Sequence, residues 1–217
     1  MTYIFKKTSD GRGGFIHAEF YDRASGGKWM HAIGLDDAAE CSQVFKGKNA
    51  PLNLDLVPRT MIVEKKRASF PDMWWGEGGL LIISPALKNL IEAHDPGQHY
   101  IWPMTLLTKR HVEYEGAHFG FVPGVHASAL DEENSDARIE EERFVEATRM
   151  SRARRVPRKV RLWTYEKAGV RKADLPDAHL WWDASFDKPH LFTSDSLHDA
   201  IKAAGLKTIR AVKAKEV

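Results

Sequence analysis

Residues 80–93 read LLIISPALKNLIEA, an apolar run that becomes a helical pattern at a serine. Leu80–Ile83 favours a buried strand, and from Ser84 onward the apolar positions follow the helical period. A serine hydroxyl can accept a hydrogen bond from the first turn of a helix, and Pro85 suits the first helical position, where no amide donor is required. The stretch therefore predicts a strand and then a helix that Ser84 caps.

Residues 190–203 read HLFTSDSLHDAIKA and follow the same plan. When the two stretches are aligned at Ser84 and Ser194, both have Leu three residues later, Ile seven and Ala nine. These positions share one face of a helix, and extended residues follow at 99–104 and 207–212. The sequence predicts two strand–helix–strand units whose helices pack on a sheet, and it leaves open whether they are a true repeat.

Residues 1–70 read as strands and turns. Lys28–Leu35 and the alternating leucines of 52–56, between Pro51 and Pro58, both favour strands. We therefore expect an α+β fold with a mixed or mostly antiparallel sheet, in which a β-rich part (1–70) precedes an α+β part (71–217). The two parts form one continuous domain or two interlocked lobes.

Charge is segregated between residues 131 and 161. Residues 131–146 hold eight acids and two arginines, the acids being Asp131, Glu132, Glu133, Asp136, Glu140, Glu141, Glu142 and Glu146. Residues 149–161 hold seven bases and no acid, namely Arg149, Arg152, Arg154, Arg155, Arg158, Lys159 and Arg161. Acids early and bases late suit a helix dipole, so this order predicts one exposed charged helix from about Asp136 to Arg155 that Pro157 ends.

No set of residues suited to catalysis stands out. The ten histidines are scattered without the spacing of metal ligands, and Cys41 has no neighbouring base, so we expect a small buried thiol there. Ser84 and Ser194 lack the glycine context of a nucleophile elbow. We predict no catalytic, cofactor-binding or metal-binding residue and no enzyme activity.

The composition bounds the location and the partners. The net charge of +2 creates no large uniform field, so a nucleic acid would need a local basic patch. A single cysteine, no apolar leader and no run of about 20 apolar residues predict a cytoplasmic protein that spans no membrane. Self-association is left open.

Two Trp pairs are candidates for a binding surface, because adjacent residues of a strand face opposite sides. One ring of each pair, Trp74-Trp75 and Trp181-Trp182, is either exposed for binding or buried beneath a helix. With the charged segment they give the predicted partner-binding residues: Asp131, Glu132, Glu133, Asp136, Glu140, Glu141, Trp74, Trp75, Arg152 and Arg155.

The two units also resemble a known family. LLIISPAL (80–87) with HYIWPM (99–104), and LFTSDSL (191–197) with AAGL (203–206), resemble the immunity proteins of bacterial polymorphic toxin systems, in the Imm11 or DUF1629-like group. The resemblance covers about residues 74–212; the charged segment and the first 70 residues carry no marker of the group. It implies a cytoplasmic inhibitor that binds and neutralises a cognate toxin without cofactor or turnover.

Two other functions remain open at this stage. A nucleic-acid-binding or regulatory domain would use the basic run 149–161, although the preceding acids would repel nucleic acid. An enzyme would need a site assembled from residues distant in sequence, with histidines or carboxylates of perturbed pKa gathered in a pocket.

Overall fold

The computed structural model describes residues 1–5, 15–140, 143–145, 154–156, 159–162, 167–185 and 189–217. For the strands between 137 and 162 it describes the backbone. The strands are β1 (Thr2–Phe5), β2 (Ala18–Asp22), β3 (Gly27–Lys28), β4 (Thr60–Val63), β5 (Met73–Trp75), β6 (Leu81–Ile83), β7 (Tyr100–Thr108), β8 (His118–Val122), β9 (His126–Ala127), β10 (Ala137–Glu140), β11 (Arg143–Val145), β12 (Arg154–Val156), β13 (Lys159–Leu162), β14 (Gly169–Val170), β15 (Leu180–Asp183), β16 (His190–Ser194), β17 (Ala211–Lys213) and β18 (Lys215–Glu216). The helices are α1 (Trp29–Ile33), α2 (Leu35–Phe45), α3 (Pro85–His94) and α4 (Asp195–Ala203), and 3-10 turns lie at Glu77–Gly79 and Lys172–Asp174.

Two mixed sheets carry the fold. The larger has seven strands in the order β3-β2-β4-β7-β8-β6-β5, all antiparallel neighbours except β4 and β7. The smaller has the order β17-β1-β16-β15-β9, in which only β15 and β9 run parallel. Strands from both sides of residue 70 pair within each sheet. The prediction of an α+β fold with mixed sheets is confirmed.

The two predicted units share a topology. In the first, β5 pairs with β6, helix α3 follows β6, and β8 lies between β6 and β7. In the second, β15 pairs with β16, helix α4 follows β16, and β1 lies between β16 and β17. The N-terminal strand thus fills the place in the second unit that β8 fills in the first.

Both helices begin as predicted. The Ser84 hydroxyl accepts the Leu87 N–H at 3.2 Å, and the Ser194 hydroxyl accepts the Leu197 N–H at 3.2 Å. The helices contact each other, and their apolar faces join one buried cluster with residues from both sheets. The prediction of two Ser-capped helices packed on a sheet is therefore confirmed.

All four tryptophans of the two pairs are buried. Trp75 lies opposite Leu81 and Trp182 lies opposite Leu191, and the two Trp ring centroids are 6.1 Å apart in the cluster between the sheets. Trp74 packs on the other face of the larger sheet, in a cluster that also includes side chains of α1 and α2. The alternative in which one ring of each pair is exposed is wrong, since both faces of these strands are covered.

The segment after each helix bonds to the other unit. The N–H of Lys207, after α4, donates to Asp72 Oδ2 at 2.7 Å, just before β5. The carboxylate of Asp95, after α3, accepts the His179 N–H at 2.8 and 3.0 Å, just before β15. These reciprocal bonds join the two units just after the C-terminal ends of α3 and α4.

The prediction of a charged helix from Asp136 to Arg155 is wrong within the described ranges. Strand β10 pairs antiparallel with β13, and β11 pairs antiparallel with β12. The register sets Ile139 opposite Val160 and Glu140 opposite Lys159. Apolar and charged residues alternate in β10 and β13, and this strand period with its β-branched residues outweighed the order of charges.

The β-rich description of residues 1–70 also needs correction. Lys28–Leu35 was predicted as a strand, but α1 occupies most of it. Residues 52–56 contain a turn at 54–55 and no strand, and their alternating leucines do not share one buried face, since Leu52 is buried and Leu54 is exposed. Helix α2 buries Ala38, Cys41, Val44 and Phe45, and burial raises the pKa of the Cys41 thiol, as expected of a small buried thiol.

Across the described ranges, every helix falls short of the length and hydropathy that a membrane-spanning segment requires.

Candidate partner-binding surface

The acidic segment 131–136 starts from a buried anchor. Ala129 and Leu130 are buried, and the backbone there bonds to β14 and the residue after it: the Asp131 N–H donates to the Gly169 carbonyl at 2.9 Å, and the Arg171 N–H donates to the Ala129 carbonyl at 2.7 Å. The segment therefore leaves the core in a fixed direction, with its acids just beyond the last buried residue.

Asp131 closes a turn. Its carboxylate accepts the Asn134 N–H at 2.9 Å and the Asn134 amide Nδ2 at 3.3 Å. The backbone bond from Asn134 is the main reason that the pKa of Asp131 lies below its usual range. The Lys215 ammonium in turn donates to Asn134 Oδ1 at 3.2 Å. Asp131 is thus an ionised acid whose oxygens are partly occupied within the chain.

The far end of the acidic segment is also tied down. The Ser135 hydroxyl accepts the Gly169 N–H at 2.8 Å, and the Asp136 N–H donates to the Lys167 carbonyl at 3.0 Å. The Lys167 ammonium lies 3.9 Å from the Asp136 carboxylate. With both ends bonded to residues 167–171, the segment presents its acids on a loop of defined path.

Arg171 contacts the backbone that leads into the acidic loop. Its guanidinium donates to the Asp174 carboxylate at 2.5 Å, to the Ser128 carbonyl at 2.9 Å and to the Leu130 carbonyl. The bond to Asp174 is the main reason that the pKa of Arg171 is raised. The arginine therefore fixes the backbone of 128–130, from which the acids project.

Asp183 supports the same region from the core. It is fully buried, and its carboxylate accepts the Ala129 N–H at 2.8 Å and the Ser185 N–H at 2.9 Å. Burial raises the pKa of Asp183, although these N–H donors oppose the shift. One buried carboxylate thus joins the loop that carries the acids to the end of β15.

Together these elements form an open groove of about 630 Å³, which we call the acidic groove. It is lined by Ser128, Leu130, Asp131, Glu132, Glu133 and Arg171, with Ser185 at its side. Glu133 is exposed, whereas Glu132 is half-buried. Three carboxylates beside a guanidinium that is already engaged suit a cationic side chain or a basic protein surface.

The structure brings together only some of the predicted partner-binding residues. Asp131, Glu132, Glu133 and Asp136 lie on the loop just described. The prediction that Trp74 and Trp75 belong to the contact surface is not supported, since their rings are 0% and 4% exposed.

The remaining predicted residues fall on the charged segment. Glu140 and Arg155 lie in β10 and β12, where the structure describes the backbone, while Glu141 and Arg152 lie outside the described residues. Arg171 and Asp183 were not predicted; no local sequence signal marks either, because both act on residues more than 40 positions away.

A cluster of half-buried His179, half-buried Ser194 and buried Asp95 resembles a catalytic constellation in composition. The His179 ring Nδ1 lies 2.8 Å from the Ser194 hydroxyl, and Asp95 lies nearby with its side chain 1% exposed. Asp95, however, bonds to the His179 backbone and, at 3.1 Å, to the His99 ring, so it does not orient the His179 ring. Burial lowers the pKa of His99. These groups join α3 to β15, and the Ser194 hydroxyl caps α4.

Metal-ligating side chains do not gather anywhere in the described part of the chain in a group of three or more. Among protein families, the model of an immunity protein family, Imm11, matches residues 24–216. No curated protein matches the chain.

Proposed function

Because this chain belongs to the Imm11 family of immunity proteins, we propose that it binds a cognate bacterial toxin and neutralises it. The observation that carries the proposal is the extent of the match, which includes both strand–helix–strand units and the acidic groove. Inhibition by binding needs a rigid scaffold and a complementary surface rather than reacting groups. Two of the groups whose pKa is shifted by burial, Asp183 and His99, serve such a scaffold, since both accept hydrogen bonds from backbone amides.

We propose the acidic groove and the adjoining Asp136 as the toxin-contact surface. Its acids sit on a loop whose two ends bond to Gly169 and Lys167, so little backbone entropy is lost when a partner docks. Carboxylates at an exposed rim speed association with a basic partner and make the rate dependent on salt. The toxin would then present lysine or arginine side chains to this groove.

The test uses the C-terminal domain of a polymorphic-toxin open reading frame, if one is found beside this gene. Co-expression is expected to restore growth of cells that produce the toxin, and calorimetry is expected to give a one-to-one complex. The double variant Glu132→Gln, Glu133→Gln is expected to weaken binding at least ten-fold, which is about 1.4 kcal/mol. Most of that loss should appear in the association rate and should shrink at high salt.

A matched control removes two acids elsewhere. Glu40 and Asp177 are exposed and lie outside the groove, so Glu40→Gln, Asp177→Asn changes the net charge equally. This variant should bind as the wild type does. Equal losses of affinity in both double variants would mean that the effect is one of net charge, and the groove would then be removed from the proposal. A toxin that neither binds to the protein nor is neutralised by it would overturn the proposed immunity function.

Point substitutions are better suited to this question than deleting residues 131–155. Such a deletion would remove β10, β11 and most of β12, the strand that pairs with β11, and would leave β13 without its partner β10. We place the action of the protein in the cytoplasm, where its buried free thiol Cys41 would stay reduced.

A further inference from the structure

Two loops lie side by side where two neighbouring strands of the seven-stranded sheet end. Strands β4 and β7 run parallel, and their last residues, Val63 and Thr108, are register partners. Because neighbouring strands lie about 4.8 Å apart, the chain leaves both strands side by side. Residues 64–67 and 109–112 therefore emerge together, although 40 or more positions separate them in sequence.

These loops concentrate positive charge. Lys65, Lys66, Arg67, Lys109 and Arg110 are all exposed. Within the described ranges, none of the five side chains forms a salt bridge. Five unpaired cations on adjacent loops create a local positive field that a net charge of +2 does not reveal.

The acids nearby neutralise little of this charge. Glu113 pairs with Arg23 at 2.9 Å, so its charge is already balanced. Glu64 is exposed beside the lysines and bonds through its backbone N–H to the His17 carbonyl at 3.0 Å. Within residues 64–67 and 109–112, Glu64 is thus the one carboxylate, and exposed Glu115 lies three residues beyond the second loop.

The loop after β7 is held in shape. The Val112 N–H donates to the Thr108 hydroxyl at 3.1 Å, and the Thr108 N–H donates to the Val112 carbonyl at 2.8 Å. The Arg67 N–H donates to the Tyr114 hydroxyl at 3.2 Å, which ties the two loops together. The cations are therefore preorganised, and docking a partner need not order the backbone that carries them.

A concavity of about 520 Å³ lies between the loops. It is lined by Glu64, Lys66, Thr108, Lys109, Arg110 and Val112, and Val112 is 61% exposed. We call this surface the basic cradle. An exposed valine within a rim of cations offers apolar contact and charge attraction at the same place.

We propose that the basic cradle docks an acidic segment of a protein partner, with an apolar side chain of that segment resting on Val112. The lining has no Phe, Tyr or Trp on which a nucleic-acid base could stack, and Glu64 would repel a continuous phosphate backbone. A protein segment can place its carboxylates beside the cations and avoid Glu64. This surface differs from the acidic groove in location and in sign, so it does not depend on the toxin contact proposed above.

Fluorescence anisotropy with defined probes tests the proposal on the full chain. The probe is a labelled 12-residue peptide of alternating Glu and Leu, and the comparison peptide carries Gln in place of Glu. At low salt the Glu peptide is expected to bind at least ten-fold more tightly than the Gln peptide. The double variant Lys66→Gln, Arg110→Gln should lose at least ten-fold in affinity, whereas Lys202→Gln, Lys213→Gln, exposed cations elsewhere, should stay within two-fold.

Three results would overturn the proposal. Equal losses in both double variants would mean attraction by net charge alone. A labelled 12-nucleotide thymidine strand that bound more tightly than the peptide, through Lys66 and Arg110, would make the cradle a nucleic-acid site. Unchanged affinity of Val112→Ser for the Glu-Leu peptide would remove the apolar contact, which should contribute at least a two-fold loss; thermal melting of each variant confirms that it is folded.

Discussion

The side chain of Asp95 offers the sharpest test of how the two units are joined. It is 1% exposed and accepts hydrogen bonds from the backbone N–H of His179 (2.8 and 3.0 Å), from that of Leu180 (2.9 Å) and from the His99 ring (3.1 Å). In Asp95→Ala these donors lose their acceptor. The Leu180 N–H is buried and would have no access to water, whereas the half-buried His179 N–H could be partly hydrated.

The size of the loss follows from these contacts. A hydrogen bond to a charged acceptor contributes about 1.5–3 kcal/mol, so the two backbone donors, one of them partly rehydrated, give a loss of about 3–4 kcal/mol even without the contribution of the His99 ring. For a chain of this size each kcal/mol lowers Tm by about 2–4 °C, so we expect a decrease of about 6–16 °C. Asp95→Asn keeps one carbonyl acceptor and should lose less.

Urea unfolding followed by tryptophan fluorescence measures this loss. The control Asp199→Ala removes a carboxylate that is 73% exposed and should change the free energy of unfolding by less than about 0.5 kcal/mol. A decrease of under 1 kcal/mol in the free energy of unfolding of Asp95→Ala, with an unchanged m value in urea, would refute the view that this carboxylate holds α3 to β15.

Further outcomes follow from the same structure. Ser84→Ala should cost about 1 kcal/mol in a thermal melt, and Ser194→Ala should cost more, because its hydroxyl also bonds a histidine ring. Gly120→Ala should destabilise by about 1–3 kcal/mol or more, since a Cβ would lie 2.4 Å from the buried Trp102 ring; wild-type stability there would contradict the packing. Burial holds the pKa of His99 below its ordinary 6.5. The contribution of the neutral ring to the stability of the folded protein is therefore fully present above pH 6.5 and is lost as the pH falls through the folded pKa. Urea midpoints should fall from pH 7 to pH 5, and His99→Gln should reduce this dependence on pH. An unchanged dependence in His99→Gln would contradict the view that protonation of His99 destabilises the fold.

The two units could be predicted because their signals are local. A run of four apolar residues, a serine and a helical period lie within fourteen residues at 80–93, and each element acts on its immediate neighbours. Helix α2 carried a comparable signal, since Ala38, Cys41 and Val44 recur every three residues behind Gly34. This helix lies within residues 1–70, which were predicted as strands and turns.

The charged segment was misread because two local signals disagree there. The order of acids and bases favours a helix, but alternation in Lys159–Leu162 and its β-branched partners favours strands. Charge order contributes only a few tenths of a kcal/mol per residue at an exposed helix end, whereas a cross-strand pair of β-branched residues, such as Ile139 opposite Val160, contributes about 0.2–1 kcal/mol. The pairing partner lies about twenty residues away, beyond the reach of a local pattern.

Long-range pairing also explains why only parts of the two candidate surfaces could be predicted from the sequence. The acids at 131–133 were identified directly, but the groove also needs Arg171 and Asp183, which reach it through the pairing of β9 with β15 and the contact with β14. The basic cradle depends on the parallel register of β4 and β7, which no local pattern predicts. The burial of Trp75 and Trp182 likewise follows from the packing of one sheet against the other.

The shared topology of the two units explains where the candidate surfaces lie. The basic turn 109–112 joins β7 to β8, a connection that the second unit lacks because its equivalent strand, β1, comes from the N-terminus. The acidic loop 131–136 likewise lies outside the paired strands of both units. Substitutions in such connections disturb few buried contacts, whereas a change within the paired strands affects the core shared by both units. If the acidic groove contacts the toxin as proposed, substitutions in the loop 131–136 can change binding specificity while the scaffold stays constant, which is the property an inhibitor needs when its target varies.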